Sequence, residues 1–262
     1  MSAPTVMAWR DSAALAEAAA ARMVTHLVTV QADRGHASVV LTGGSVGIAT
    51  LAALAASPGR DSVDWAALDV WWGDERFVRS DDPERNERQA RDALLDHVGI
   101  DESRVHPMPA LGWAPGSGGA GVDVHAAATA YAAELARHSA IEAHAPLPRL
   151  DLLLLGVGPD GHVASLFPNS PALYDTRAVV GVEGSPKPPP QRISLTLPTI
   201  QTADEVWLLA AGAQKAPAVR LALSGAGPMS IPASVARGRR ATSWLLDRAA
   251  AAELPAGMLR PQ

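Results

Sequence analysis

Short apolar runs alternate with longer stretches of mixed polarity along most of the chain. Residues 5–9, 37–41, 68–72, 105–108, 150–155, 192–197, 205–210 and 242–246 read as strands. Between them, the spacing predicts helices from Asp11, a capping residue, to about Asp33; from the Gly-Gly-Ser turn at 43–45 to about Ala56; and over 83–97, 124–143 and 214–223. Residues 111–121 are rich in Gly and Pro and read as a mobile loop. Residues 184–191 hold four prolines, which excludes regular structure. The run at 150–155 has no polar alternation, as expected of a strand covered on both faces. Alternating strands and helices imply an α/β fold: a mostly parallel, twisted sheet with helices on both faces. No repeat or linker splits the chain, so one domain over residues 1–262 is expected.

Composition narrows the functional classes. The 262 residues are 48% hydrophobic, enough for a sizeable core. A formal charge of −5 argues against general binding to nucleic acid or a membrane surface. With no cysteine, disulfides, thiolate nucleophiles and cysteine-ligated metals are impossible. The sequence shows no signal segment, and no apolar run approaches a membrane span, so a cytoplasmic protein is expected. Only two lysines, Lys187 and Lys215, stand against twenty arginines.

The 150–155 strand runs into Gly156-Val157-Gly158-Pro159-Asp160-Gly161-His162. Glycines allow the sharp turn and close approach to a ligand, and ligands of open α/β sheets bind at strand carboxyl ends. His is well suited to move protons near neutral pH, which marks His162, with Asp160 beside it, as a candidate catalyst. The glycines also fit a dinucleotide fingerprint, but no acidic residue falls clearly about twenty positions on. No second His or carboxylate stands at metal-ligand spacing from Asp160 and His162, so no metal site and no cofactor are predicted. Thr42-Gly43-Gly44-Ser45 forms a strand-to-helix turn, where backbone N–H groups suit a phosphate. Asp74-Glu75-Arg76 follows a buried strand, where ionic groups are costly unless paired or facing a crevice.

These segments, with Arg192-Ile193-Ser194-Leu195-Thr196, resemble the 6-phosphogluconolactonase family in order along the chain. Residues 156–168, Gly-Val-Gly-Pro-Asp-Gly-His-Val-Ala-Ser-Leu-Phe-Pro, look like its signature. That family shares a superfamily with glucosamine-6-phosphate isomerase/deaminase. The resemblance implies a Rossmann-like three-layer fold and a phosphorylated sugar as ligand. It implies that Gly43, Gly44 and Ser45, with Arg192 and Lys215, hold the sugar phosphate. Asp74 matches the deaminase's carboxylate base, and Arg76 is a substrate or phosphate anchor. Asn86 matches a Ser-Asn pair, although Arg85 stands where Ser is usual. Lys187 is assigned no role.

The superfamily offers two chemistries. The deaminase signature carries Phe-Asn-Glu-Pro after its His, and the Glu assists catalysis. Here the aligned residues are Ser165-Leu166-Phe167-Pro168, so that acid is missing. Lactone hydrolysis needs one group to take a proton from water and return it to the leaving oxygen, which one His can do. The expectation is hydrolysis of 6-phospho-D-glucono-1,5-lactone in the oxidative pentose phosphate pathway, by a monomer or homodimer. The alternatives are deamination or a non-catalytic sugar-phosphate sensor.

Overall fold

The structure is a computed structural model describing residues 3–114, 121–139 and 147–260. Thr5–Trp9 (β1) leads into the helix Ser12–Arg34 (α1). Asp11 caps that helix by accepting a 2.8 Å hydrogen bond from the Ala14 N–H. Gly35, at φ 78°, ends it, returning its N–H to the Gln31 carbonyl. Then follow Ala37–Leu41 (β2), Gly44–Ala55 (α2), Leu68–Trp72 (β3), Asp74–Arg76 (β4), Asn86–Ala93 (α3) and Val124–Arg137 (α4). The second half holds Leu152–Gly156 (β5), Val179–Val182 (β6), Arg192–Leu195 (β7), Leu197–Ile200 (α5), Glu205–Ala210 (β8), Ala216–Leu223 (α6) and Ala241–Asp247 (β9).

Six strands form one parallel sheet in the order β1-β9-β8-β5-β2-β3. It is flanked by helices, as the alternation predicted. Leu152 to Leu155 of β5 are each at most 1% exposed, which accounts for the unbroken apolar run in the sequence. From β2 the chain moves outward to β3; from β5 it moves the other way, to β8 and β9. The strand order therefore reverses between β2 and β5, and a crevice opens beyond their carboxyl ends.

Several expectations are corrected. Strand 192–197 does not join the parallel sheet. Its residues 192–195 lie in a separate three-stranded antiparallel sheet, β4-β7-β6, against which α4 packs. Gly73 is the joint: its N–H donates to Leu41 of the main sheet, and its carbonyl accepts from Leu195 of the small one. Residues 105–108 form no strand; Val105 makes an isolated bridge to Val70. The 83–97 helix is cut to Asn86–Ala93, because Arg85 is extended with its side chain turned inward. The 124–143 helix stops at Arg137; positions 140–143 lie outside the described residues, as do 115–120 of the 111–121 loop.

By length and composition alone α1 is apolar enough to cross a membrane, which the sequence reading did not single out. In the fold, Leu15, Ala19, Met23 and Leu27, spaced four apart on one face, enter the core.

Candidate active site

The crevice at the reversal point encloses about 210 Å³. Its floor is the pair of loops following β2 and β5, tied together where the Gly156 N–H donates to Thr42 Oγ1 at 3.2 Å. Gly43 is the N-cap of α2, no side-chain hydrogen bond caps the helix there, and Gly43 and Gly44 both line the crevice. A Cβ on Gly43 would lie 1.8 Å from Asn86 Oδ1, so side-chain-free backbone is required there. Gly158 is under the same constraint: its Cβ would meet His162 Nδ1 at 2.0 Å and Asp160 Oδ1 at 2.4 Å.

His162 projects into the crevice, with its ring 4.6 Å from that of Phe167 between centroids. Its Nδ1 lies 2.5 Å from Asp160 Oδ1. Burial opposes ionisation of Asp160. The hydrogen bond from His162 and the charges of His162 and Lys187 outweigh it, holding the carboxyl down to about 2. Asp160 is thus an anion at neutral pH. It fixes the proton of a neutral imidazole on Nδ1 and leaves Nε2 with a lone pair.

Asp74 forms the opposite wall. Ser165 Oγ donates to its Oδ2 at 2.7 Å, and Asn86 Nδ2 approaches its Oδ1 at 3.4 Å and its backbone carbonyl at 2.8 Å. Beneath it, Glu75 is fully buried. Burial pushes its carboxyl up to about 7, against the pull of Arg85 and of N–H groups of Arg76, Asn86 and Glu87. Arg85 reaches Glu75 at 3.7 Å. The residue that departs from the Ser-Asn pattern therefore serves as a buried counter-ion and does not reach the crevice.

Arg76, on β4 with Asp74, and Arg192 and Lys215, from two further segments, all line the crevice. Arg76 Nη1 donates to the Glu84 carbonyl. Arg192 is buried and fastens the proline-rich loop: Nε donates to Pro189 O (2.9 Å), and Nη2 to Pro188 O (2.9 Å) and Lys187 O (3.2 Å). Burial lowers its pKa, opposed by Asp74. Lys215 Nζ donates to the Val157 carbonyl; its pKa is lowered by burial and by Lys187, and raised by Asp160.

Two sequence candidates, Asp160 and Ser45, do not line this cavity; Asp160 touches His162, which does. Ser45 lines an adjoining hollow of about 90 Å³, which it shares with Gly43, Gly44 and Lys215. Conversely, sequence reasoning assigned no role to Lys187, which lines the crevice with Nζ 4.0 Å from Asp160, and missed Ser165 beneath Asp74. The scarcity of lysine was a usable signal for Lys187. Ser165 stands inside the 156–168 stretch, but nothing there pointed to its partner, Asp74.

The protein is thus a doubly wound α/β protein whose crevice holds His162, paired with Asp160, together with the cations Arg76, Lys187, Arg192 and Lys215. Residues 10–244 match the family of glucosamine-6-phosphate isomerases and 6-phosphogluconolactonases, and the chain belongs to that family. It is 60% identical to a 6-phosphogluconolactonase of Streptomyces coelicolor over 98% of this chain and 97% of that one. It is 51% identical to one of Mycobacterium tuberculosis over 94% and 96%. A solved 6-phosphogluconolactonase of Trypanosoma brucei superposes with a TM-score of 0.81 at 30% identity, covering 96% of this chain and 99% of that one.

Proposed function

We propose that the protein hydrolyses 6-phospho-D-glucono-1,5-lactone to 6-phosphogluconate, in the oxidative pentose phosphate pathway. The observation that carries this reading is the Asp160–His162 pair at the end of β5. Asp160 holds Nδ1, and Nε2 takes a proton from the attacking water. The carbonyl carbon becomes tetrahedral, and Arg76 or nearby backbone N–H groups steady its oxyanion. The imidazolium then returns the proton to the ring oxygen as the carbon–oxygen bond breaks. Asp74, whose two oxygens are already engaged by Ser165 and Asn86, acts as a fixed acceptor for a sugar hydroxyl.

The Gly43–Gly44–Ser45 loop, Arg192 and Lys215 grip the phosphate away from the reacting carbon, so binding becomes positioning. Phe167 lines the crevice where the deaminase sequence carries Glu, which leaves that chemistry without one of its acids. The test is a coupled assay for loss of the lactone above its spontaneous hydrolysis, run beside an assay for ammonia from glucosamine 6-phosphate. Turnover of the lactone with no ammonia is expected. Ammonia release at about 1 s⁻¹ or more, an ordinary enzymatic rate, would overturn the assignment.

A further inference from the structure

We infer that this chain carries a binding site for a divalent transition-metal ion of the zinc class, formed by His106, Glu134 and His138 and separate from the crevice. One ligand atom from each lies within 4.8 Å of the others. Glu134 and His138 are one turn apart at the carboxyl end of α4, and so share a face. His106 comes from the segment after the Val70–Val105 bridge, beside β3. His106 Nδ1 is 3.4 Å and His138 Nδ1 is 3.5 Å from Glu134 Oε1; His138 Nδ1 also lies 3.1 Å from the Glu134 carbonyl, a contact within the helix end that an ion would replace. A tetrahedral ion with bonds of about 2.0–2.1 Å holds its ligand atoms about 3.3–3.4 Å apart, which the two distances to Glu134 Oε1 match.

The surroundings fit a metal ligand set. His106 Nε2 lies 3.1 Å from Asp69 Oδ1, and Asp69 is itself paired with Arg104. A neutral His106 that donates from Nε2 to that carboxylate presents its Nδ1 lone pair to Glu134, the outer-sphere arrangement typical of metal-bound His. The His106 ring stacks on Trp71, with centroids 3.9 Å apart and planes at 13°, which fixes its direction. Arg137 pairs with Glu134 Oε2, leaving Oε1 for the ion. Two imidazoles and one carboxylate suit zinc, nickel or copper over magnesium or calcium. Of the three ligands His138 is exposed, Glu134 half-buried and His106 buried. An ion there would clasp the end of α4 to the β3 edge.

The test uses full-length protein stripped with a chelator, then titrated with Co²⁺ and Zn²⁺. Expected are a visible four-coordinate Co²⁺ spectrum, one tightly bound ion per chain by calorimetry, and a raised Tm with Zn²⁺. His138→Ala, at an exposed position, and Glu134→Gln should abolish all three. Asp69→Asn should weaken binding about 10–100-fold, the usual cost of an outer-sphere partner. His162→Ala, in the crevice, should leave binding intact. Absence of binding at millimolar Zn²⁺, survival in His138→Ala, or loss in His162→Ala would overturn the site.

Discussion

With Nδ1 of His162 committed to Asp160, the proton chemistry rests on one nitrogen. His162→Ala should therefore keep the fold and lower kcat about 10²–10⁴-fold, the size of a general acid–base contribution. Circular dichroism and steady-state kinetics check this, and near wild-type turnover in a folded variant would exclude the role. Glu75 makes a different residue-level prediction. Its carboxyl is raised by burial to about 7, so the folded protein holds a proton that the unfolded chain has released. Stability should fall as pH rises from about 4.5 to about 7, and the loss should level off above that. Relative to wild type, Glu75→Gln should remove this slope. Denaturant midpoints measured across that range decide it.

The loops that follow β2, β5 and β8 act as units. Gly158→Ala places a methyl group against both His162 Nδ1 and Asp160 Oδ1. It should lower kcat nearly as far as removal of His162 itself, about 10²-fold or more, with little change in Tm because two side-chain ends can move. Lys215, at the start of the segment leading into α6, tests the phosphate grip. A charge-assisted hydrogen bond is worth about 1.5–3 kcal/mol, so Lys215→Ala should raise KM about tenfold or more for the phosphorylated lactone. The dephosphorylated lactone should be nearly indifferent to the change. Equal harm to both would mean that Lys215 acts through the fold.

The same scale shows what the sequence made legible. β1, β2, β3 and β8 have the predicted bounds, because each is an apolar run punctuated by Gly or charge. β4 was not legible: Asp-Glu-Arg is a poor strand by propensity, and it forms one because Glu75 finds Arg85 and three N–H groups inside the protein. β6 and the small sheet depend on long-range pairing that no local pattern encodes. Of the site, the glycines, Asp160 and His162 are contiguous and could be read directly. Ser165 lies three residues past His162, but its contact with Asp74, and the arrival of Asn86 and Lys187 from other segments, come only with folding.

At the scale of the whole molecule, a chain of net charge −5 must attract an anion locally. Arg76, Lys187, Arg192 and Lys215 line one crevice and supply that local field. Inorganic phosphate or sulfate should therefore compete with substrate, and chloride at matched ionic strength should do so far less. Inhibition constants in the two salts check this.

Arg192 is a wall of the crevice and also the buckle of the strap that carries Lys187. A strap buckled from within, with backbone dihedrals already set by consecutive prolines, has little disorder left to surrender when a ligand arrives. Association would then be governed by encounter, not by a closing motion. Amide exchange over residues 184–191 should be nearly the same with and without saturating phosphate. Arg192→Lys, which keeps the charge but loses the forked grip on several carbonyls, should make that exchange faster and ligand-dependent.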